Sequence, residues 1–330
     1  MSRKILSLLF LFIPLAVSAL DCQVCGGRIR GRYISTESAV YCSRDCYLTT
    51  MPACSGCGNK CEQQVITMQN KKFCSRECMY EVFKCRECGG GSDSIVTAYS
   101  AFGDEIILCS SCNLLDKCYY CAMPGTGRAL KDGRRICRIC RRTAVVNHDE
   151  IRTIFRQVRA NMGKFFGFDQ GHKIELVIVS VRELEKNSKT SYMPDGGRRL
   201  ALMKYENTVS EKRYPDGRVQ RVATKERCRI FVMDNVPRAV LIDALAHELT
   251  HDYLRHNAGR VNKLAEEEGF CELTAALYNE RTGNHRLNRR KELSTDPVYG
   301  GGYREMRARY LRNGKNWKKT ARTIKSRPLR

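Results

Sequence analysis

Long apolar runs are nearly missing from this 330-residue chain. One lies at the start, Ile5 to Val17, and it falls short of the ~20 residues a membrane-spanning helix needs. No later stretch approaches that length, so nothing after the start reads as a transmembrane segment. Histidine is also scarce, at six residues. A chance pair with metal-ligand spacing is then expected on the order of once in a hundred such chains. Acidic residues are in deficit, 35 against 58 basic, leaving a formal charge of +23. Such a surface attracts polyanions, envelope phosphates or acidic peptides. The length is enough for two domains with cores of their own.

The opening apolar run has a basic start, Arg3-Lys4, and small residues at Val17-Ser18-Ala19. It reads as a signal peptide, 1–19, cleaved before Leu20, with an uncleaved anchor as the competing reading. Asp21 before Cys22 speaks against a lipid-anchor site. The expectation is a secreted or periplasmic chain.

From Cys22 to Cys140 the sequence is organised by cysteine pairs. Four sets appear: Cys22, Cys25, Cys42 and Cys46; Cys54, Cys57, Cys74 and Cys78; Cys85, Cys88, Cys109 and Cys112; Cys118, Cys121, Cys137 and Cys140. The first two are a repeat, with sixteen residues between pairs and Tyr41-Cys42-Ser43-Arg44-Asp45-Cys46 matching Phe73-Cys74-Ser75-Arg76-Glu77-Cys78. Each unit is too small and too poor in apolar residues to fold on burial alone. A tetrahedral four-cysteine zinc site supplies the missing free energy. Disulfides are the alternative in an exported chain. Bonding cysteines so close in sequence would close only a tiny loop and restrict the unfolded chain little, whereas the spacing suits a metal knuckle. Cross-pair disulfides remain open. Cys61, Cys228 and Cys271 fall outside the pattern and read as buried small side chains.

The most specific chemistry sits in Ala246-His247-Glu248-Leu249-Thr250-His251-Asp252. Nothing breaks a helical pattern between Pro237 and Asn257–Gly259. On that helix His247 and His251 project from one face and can hold one ion, with Glu248 beside them to work on a bound water. This is the H-E-x-x-H arrangement of zinc peptidases. The bland alternative is two solvent-facing histidines on an amphipathic helix. A catalytic zinc takes three protein ligands, and a short loop through Gly259 folds a second helix back with Glu266, Glu267, Glu268 and Glu272 in reach. Successive helical residues point about 100° apart, so adjacent acids cannot aim equally at one ion. Gly269 after Glu268 is expected to leave room for the first helix to approach. Glu272, one turn on, is expected to hold a ligand histidine from behind, and Glu266 to lie in a solvated first turn. Tyr278 and His256 are the candidates for an oxyanion donor.

Around this core the patterns predict a helix over 149–166, a strand over 174–181, weaker strands at 200–203 and 219–223, and a strand at 228–233 leading into the H-E-x-x-H helix. A strand beside such a site commonly serves as the edge on which a peptide lies extended. Near the end, Tyr303, Tyr310 and Trp317 recur at seven residues as one apolar stripe, with cations opposite.

Several stretches carry a family resemblance: Cys228-Arg229 to Arg238, Leu245 to Arg255, Glu267-Glu268-Gly269-Phe270-Cys271, and Asp296-Pro297-Val298-Tyr299-Gly300-Gly301-Gly302-Tyr303-Arg304. They resemble the DA-one-like family of plant LIM-domain metallopeptidases that restrict organ growth, over most of 149–330. The resemblance implies an α+β chain: a gluzincin-like zinc metallopeptidase domain, 149–330, after four-cysteine zinc-ribbon or LIM-like modules, 22–140. It also implies Glu268 as third ligand, since Glu268-Gly269-Phe270 is similar to the Glu-Gly-Phe ligand step of gluzincin aminopeptidases. Two features differ: the cysteine sets lack the usual LIM histidine and have longer spacers. Ubiquitin control and intracellular substrates are not carried over.

The reading is a zinc endopeptidase acting on a protein or peptide, with one catalytic and about four structural Zn2+. Glu248 is the general base, and His247, His251 and Glu268 are the ligands. Two rivals belong to other classes: a non-catalytic zinc-binding adaptor on a peptidase scaffold, and a nucleic-acid-binding zinc protein. The scaffold has no physical need for Glu248, and an export signal disfavours nucleic acid.

Overall fold

The computed structural model describes residues 20–169, 171–188, 199–324 and 326–327. The expected signal peptide, 1–19, lies outside the described residues. Among them, no helix is long and apolar enough to cross a membrane. The chain forms two compact units: one runs to Cys85 and takes in Gly89–Asp93, the other holds Arg86–Cys88 and everything from Ser94 on.

In the first unit the sequence repeat becomes a structural one. A hairpin of Ile34–Ser35 and Val40–Tyr41 leads into a helix at Arg44–Thr50, and Ile66–Met68 with Lys71–Phe73 leads into Arg76–Val82. The shared serines explain the repeated helices: Ser43 and Ser75 each cap one, accepting from the backbone N–H of Cys46 and Cys78. That cap turns the second cysteine of each pair back toward the first.

The second unit holds the fourth cysteine module and an α+β body. Helix α1 (His148–Phe166) starts where Asn147 accepts from two backbone N–H groups and ends at Gly167 in the left-handed region. It buries Ile151, Ile154, Phe155, Val158, Met162 and Phe166 on one face. Strand β1 (Ile174–Val179), helix α2 (Val181–Asn187), and strands β2 (Ala201–Arg213) and β3 (Val219–Met233) follow. The sheet order is β1-β3-β2, with β1 parallel and β2 antiparallel to β3. The strand at 228–233 is therefore the end of a longer strand at the centre of the sheet, and the edge belongs to β2. Its unbroken apolar run Ile230-Phe231-Val232-Met233 fits that place, since all four are buried.

Helix α3 (Arg238–Asn257) carries the H-E-x-x-H segment, and Gly259, at φ 77, turns the chain into α4 (Leu264–Thr282). Then come α5 (Asn288–Leu293), α6 (Tyr299–Arg312) and α7 (Trp317–Ala321). Helix α4 is the hub, packed against both α3 and α6. The stripe expected on one final helix is split: Gly314 and Lys315 adopt positive φ between Tyr310 and Trp317. Trp317 opens α7 instead, buried among Phe166, Phe168, Tyr253 and Phe270, with its indole N–H on Thr274 Oγ1 at 3.0 Å.

Candidate metal centre

One turn of α3 brings His247 and His251 onto the same face, and the two imidazoles lie 5.1 Å apart between ring centres. Helix α4 presents its acids to them. His247 Nε2 is 3.1 Å from Glu268 Oε2, and His251 Nε2 is 3.5 Å from the same oxygen. Tetrahedral zinc with N and O bonds near 2.0–2.1 Å places its ligand atoms about 3.3–3.4 Å apart. The two separations bracket that value, so the donor set fits zinc. The outer ring nitrogens are engaged from behind: His247 Nδ1 lies 3.2 Å from Glu272 Oε1, and His251 Nδ1 lies 3.0 Å from Glu267 Oε1. Such contacts fix ring orientation and raise basicity at the inner nitrogen.

The electrostatics ask for a cation. Burial works against a charged imidazolium, yet Glu268 and Glu272 hold His247 well above its ordinary pKa. His251 is likewise raised against burial, by the neighbouring Cys271 and the Glu268 charge. Burial disfavours the Glu268 carboxylate as well, and the two histidines reverse this and hold its pKa far below the usual range. Behind Glu272, buried Lys291 pairs with it and with Asp243, at 3.0 Å from the latter.

Glu248 stands apart from the ligand set. Its Oε2 accepts from the backbone N–H of Met203 at 2.7 Å, which orients the carboxylate against the edge strand β2. His247, Glu248, His251, Glu267, Glu268 and Glu272 open on a cleft of 1940 Å³, bounded also by Leu200–Met203, Tyr299 and, from the fourth cysteine module, Lys117–Tyr120.

Several sequence expectations need correction. Gly269 does not admit α3: a Cβ there would meet the backbone of Gly302 on α6 at 2.4 Å. Glu266 is buried, bonded through Oε1 to Arg309 at 2.8 Å. Neither proposed oxyanion donor lines the cleft: Tyr278 accepts from Asn161 at 3.1 Å, and His256 faces Asp252. Tyr299, which no sequence pattern singles out, lines the cleft and stacks on His247 at 6.4 Å. Burial, then the charge of Glu268, raises its hydroxyl pKa. Its presence in the Asp296–Arg304 stretch is the one signal that could have found it.

In the first, second and fourth cysteine sets all four sulfur atoms lie within 4.8 Å of one another. Individual pairs are Cys25–Cys42 at 3.6 Å, Cys42–Cys46 at 3.5 Å, Cys57–Cys74 and Cys74–Cys78 at 3.6 Å, and Cys121–Cys137 at 3.8 Å. Zinc–thiolate bonds of about 2.3 Å give a tetrahedral edge of about 3.8 Å. The sets are zinc-binding-like modules, and among the described residues no two cysteines are joined by a disulfide.

Residues 197–295 match the family model DA1-like, described as Protein DA1. Protein DA1-related 2 of Arabidopsis thaliana is 29% identical over 198 residues, covering 54% of this chain and 35% of that protein. LIM domain-containing protein HDR3 of Oryza sativa subsp. japonica is 29% identical over 168 residues, 46% of this chain and 33% of that protein. Protein DA1-related 3 of Arabidopsis thaliana is 28% identical over 193 residues, 54% and 42% respectively. The chain thus spans about a third of the length of the first two relatives. Across β2, α3 and α4, then, the chain is similar to DA1-like proteins.

Proposed function

We propose that the chain is a zinc-dependent endopeptidase, exported by its first nineteen residues. The observation that carries this reading is the convergence of both histidine Nε2 atoms on one Glu268 oxygen, with Glu248 beside them in an open cleft. His247, His251 and Glu268 would hold the metal. Zinc, when bound, polarises a carbonyl and acidifies water at neutral pH. Glu248 accepts the proton of the attacking water and returns it to the leaving amine. Its hydrogen bond from Met203 keeps it in place for both transfers. Tyr299, kept protonated by burial, is available to donate to the carbonyl oxygen as negative charge develops.

The cleft supports a polymeric substrate. At 1940 Å³ it exceeds the ~300–1,000 Å³ of small-molecule pockets. Beside Glu248 the sheet-edge stretch Leu200–Leu202, next to the occupied N–H of Met203, offers backbone pairing to an extended peptide. The basic surface favours an acidic one.

The test is a peptide-library digest with the full chain and its Glu248→Gln variant. The parent should cleave internal bonds. The variant should lose hydrolysis by about 10²-fold or more, in line with losing a general base, with its zinc content unchanged. Equal cleavage by both proteins, or none by a zinc-loaded parent across the library, would overturn the reading, the second outcome in favour of a binding module.

A further inference from the structure

A second constellation of ligand-type side chains lies on an adjoining face of α3, outside the cleft lining. His172 sits in the connection between α1 and β1. Cys228 lies on β3, and the register pairs it with Ile174, two residues from His172. Asp252 and His256 are one turn apart on α3, so they share a face about 100° round from His251. One imidazole, one thiol, one carboxylate and a second imidazole, from three separate stretches, place their donor atoms within 4.8 Å of one another.

The details favour ion binding over a simple hydrogen-bonded brace. Both imidazoles turn Nε2 toward the same carboxylate: His172 Nε2 is 2.9 Å from Asp252 Oδ2, and His256 Nε2 is 3.4 Å from Oδ1. The two rings lie 4.5 Å apart. A brace between loop and helix needs one histidine and no thiol. Yet Cys228 is buried at 5% exposure beside an equally buried Asp252, while the histidines stay part-exposed and give an ion a way in. A thiolate and a carboxylate with two neutral imidazoles carry the charge that neutralises a divalent cation.

We propose that His172, Cys228, Asp252 and His256 form a second metal site, for zinc, in the same unit as the hydrolytic centre. Two nitrogens, one sulfur and one oxygen suit tetrahedral zinc. Four protein ligands leave no position for substrate, so the site is structural. It clamps the α1–β1 connection and the central strand to α3, and so fixes the helix that carries His247 and His251. Burial, together with the Asp252 and Glu226 charges, pushes the Cys228 thiol up to about 11. A bound cation reverses that effect and releases the proton.

The experiment is a zinc count per chain on the full-length protein, by elemental analysis after gel filtration in metal-free buffer. Cys228→Ser and His256→Gln should each hold about one zinc fewer than the parent, and the double variant no fewer than either single one. Glu268→Gln should lose a different equivalent, so its loss adds to that of Cys228→Ser. A Cys228→Ser protein with the parent's zinc content overturns the site. If Cys228→Ser does not fold, His172→Gln, at the exposed rim, decides: one zinc fewer supports the site, and an unchanged count overturns it. Loss in Glu268→Gln without loss in the Cys228 and His172 variants leaves the hydrolytic centre standing and removes this one.

Discussion

Glu268 and Glu267 are neighbours in sequence with opposite tasks, and the helix explains why. A step of about 100° aims Glu268 at the inner nitrogens of both histidines and swings Glu267 to the outer nitrogen of His251. Glu268→Gln should weaken metal at this centre sharply, and Glu267→Gln by about 10–100-fold at most, the range for a supporting contact. A chelator titration reads the order, and first loss of metal from the Glu267 variant would contradict it. The histidines and Glu248 were legible because their relation is fixed within one helix. Tyr299 was not, because its place beside His247 depends on how α6 crosses α4, and no local period reports that.

At the scale of elements, that crossing rests on two glycines. A Cβ on Gly302 would meet the Ala265 carbonyl oxygen at 2.3 Å, and Gly269 faces Gly302 in return. These are backbone atoms that cannot step aside. Gly302→Ala should cost about 2–3 kcal/mol, overpacking outweighing the ~1 kcal/mol that alanine gains in a helix. Gly301→Ala is the control: a Cβ there would come no closer than 3.6 Å, to the Asp296 carbonyl oxygen, so it should be neutral or slightly stabilising. Urea unfolding of the two variants reads the difference, and equal midpoints would mean that the helices do not cross this closely. The sequence placed Gly269 beside a helix but pointed to the wrong one, because a glycine signals close approach without saying what approaches. Strand positions were mostly legible from apolar runs. The central place of β3 was not, since it depends on which strands flank it.

Within the larger unit, the fourth cysteine module is built onto the α+β body. Arg134, buried at 2% exposure, reaches from that module to the Asp234 carbonyl at 2.8 Å and carboxylate at 2.9 Å, and also holds Asp132 at 2.7 Å. Backbone bonds from Asn235 to Val145 and from Arg238 to Thr143 continue the seam. Arg134→Met should lower stability by about 2 kcal/mol, less than the roughly 3–5 of a fully buried pair because Asp234 is 35% exposed. Protease sensitivity near residue 140 and thermal unfolding would both register it, and an unchanged profile would argue against the seam. Burial pushes the Asp132 carboxyl up, but hydrogen bonds from Arg134 outweigh this and hold it below the ordinary value. Its contribution is therefore present above the usual Asp pKa of about 3.9 and lost as pH falls below it. The cysteine spacing made the modules legible in sequence. The division of units at Asp93–Ser94 was not, because it follows from contacts such as those of Arg134 that join residues a hundred positions apart.

The most direct check on the whole account is an anomalous-difference map at the zinc edge from crystals of the full chain. A peak is expected about 2.0–2.1 Å from His247 Nε2, His251 Nε2 and a Glu268 oxygen together, with Glu248 outside bonding distance. Peaks in the cysteine modules with none between those three residues would contradict it.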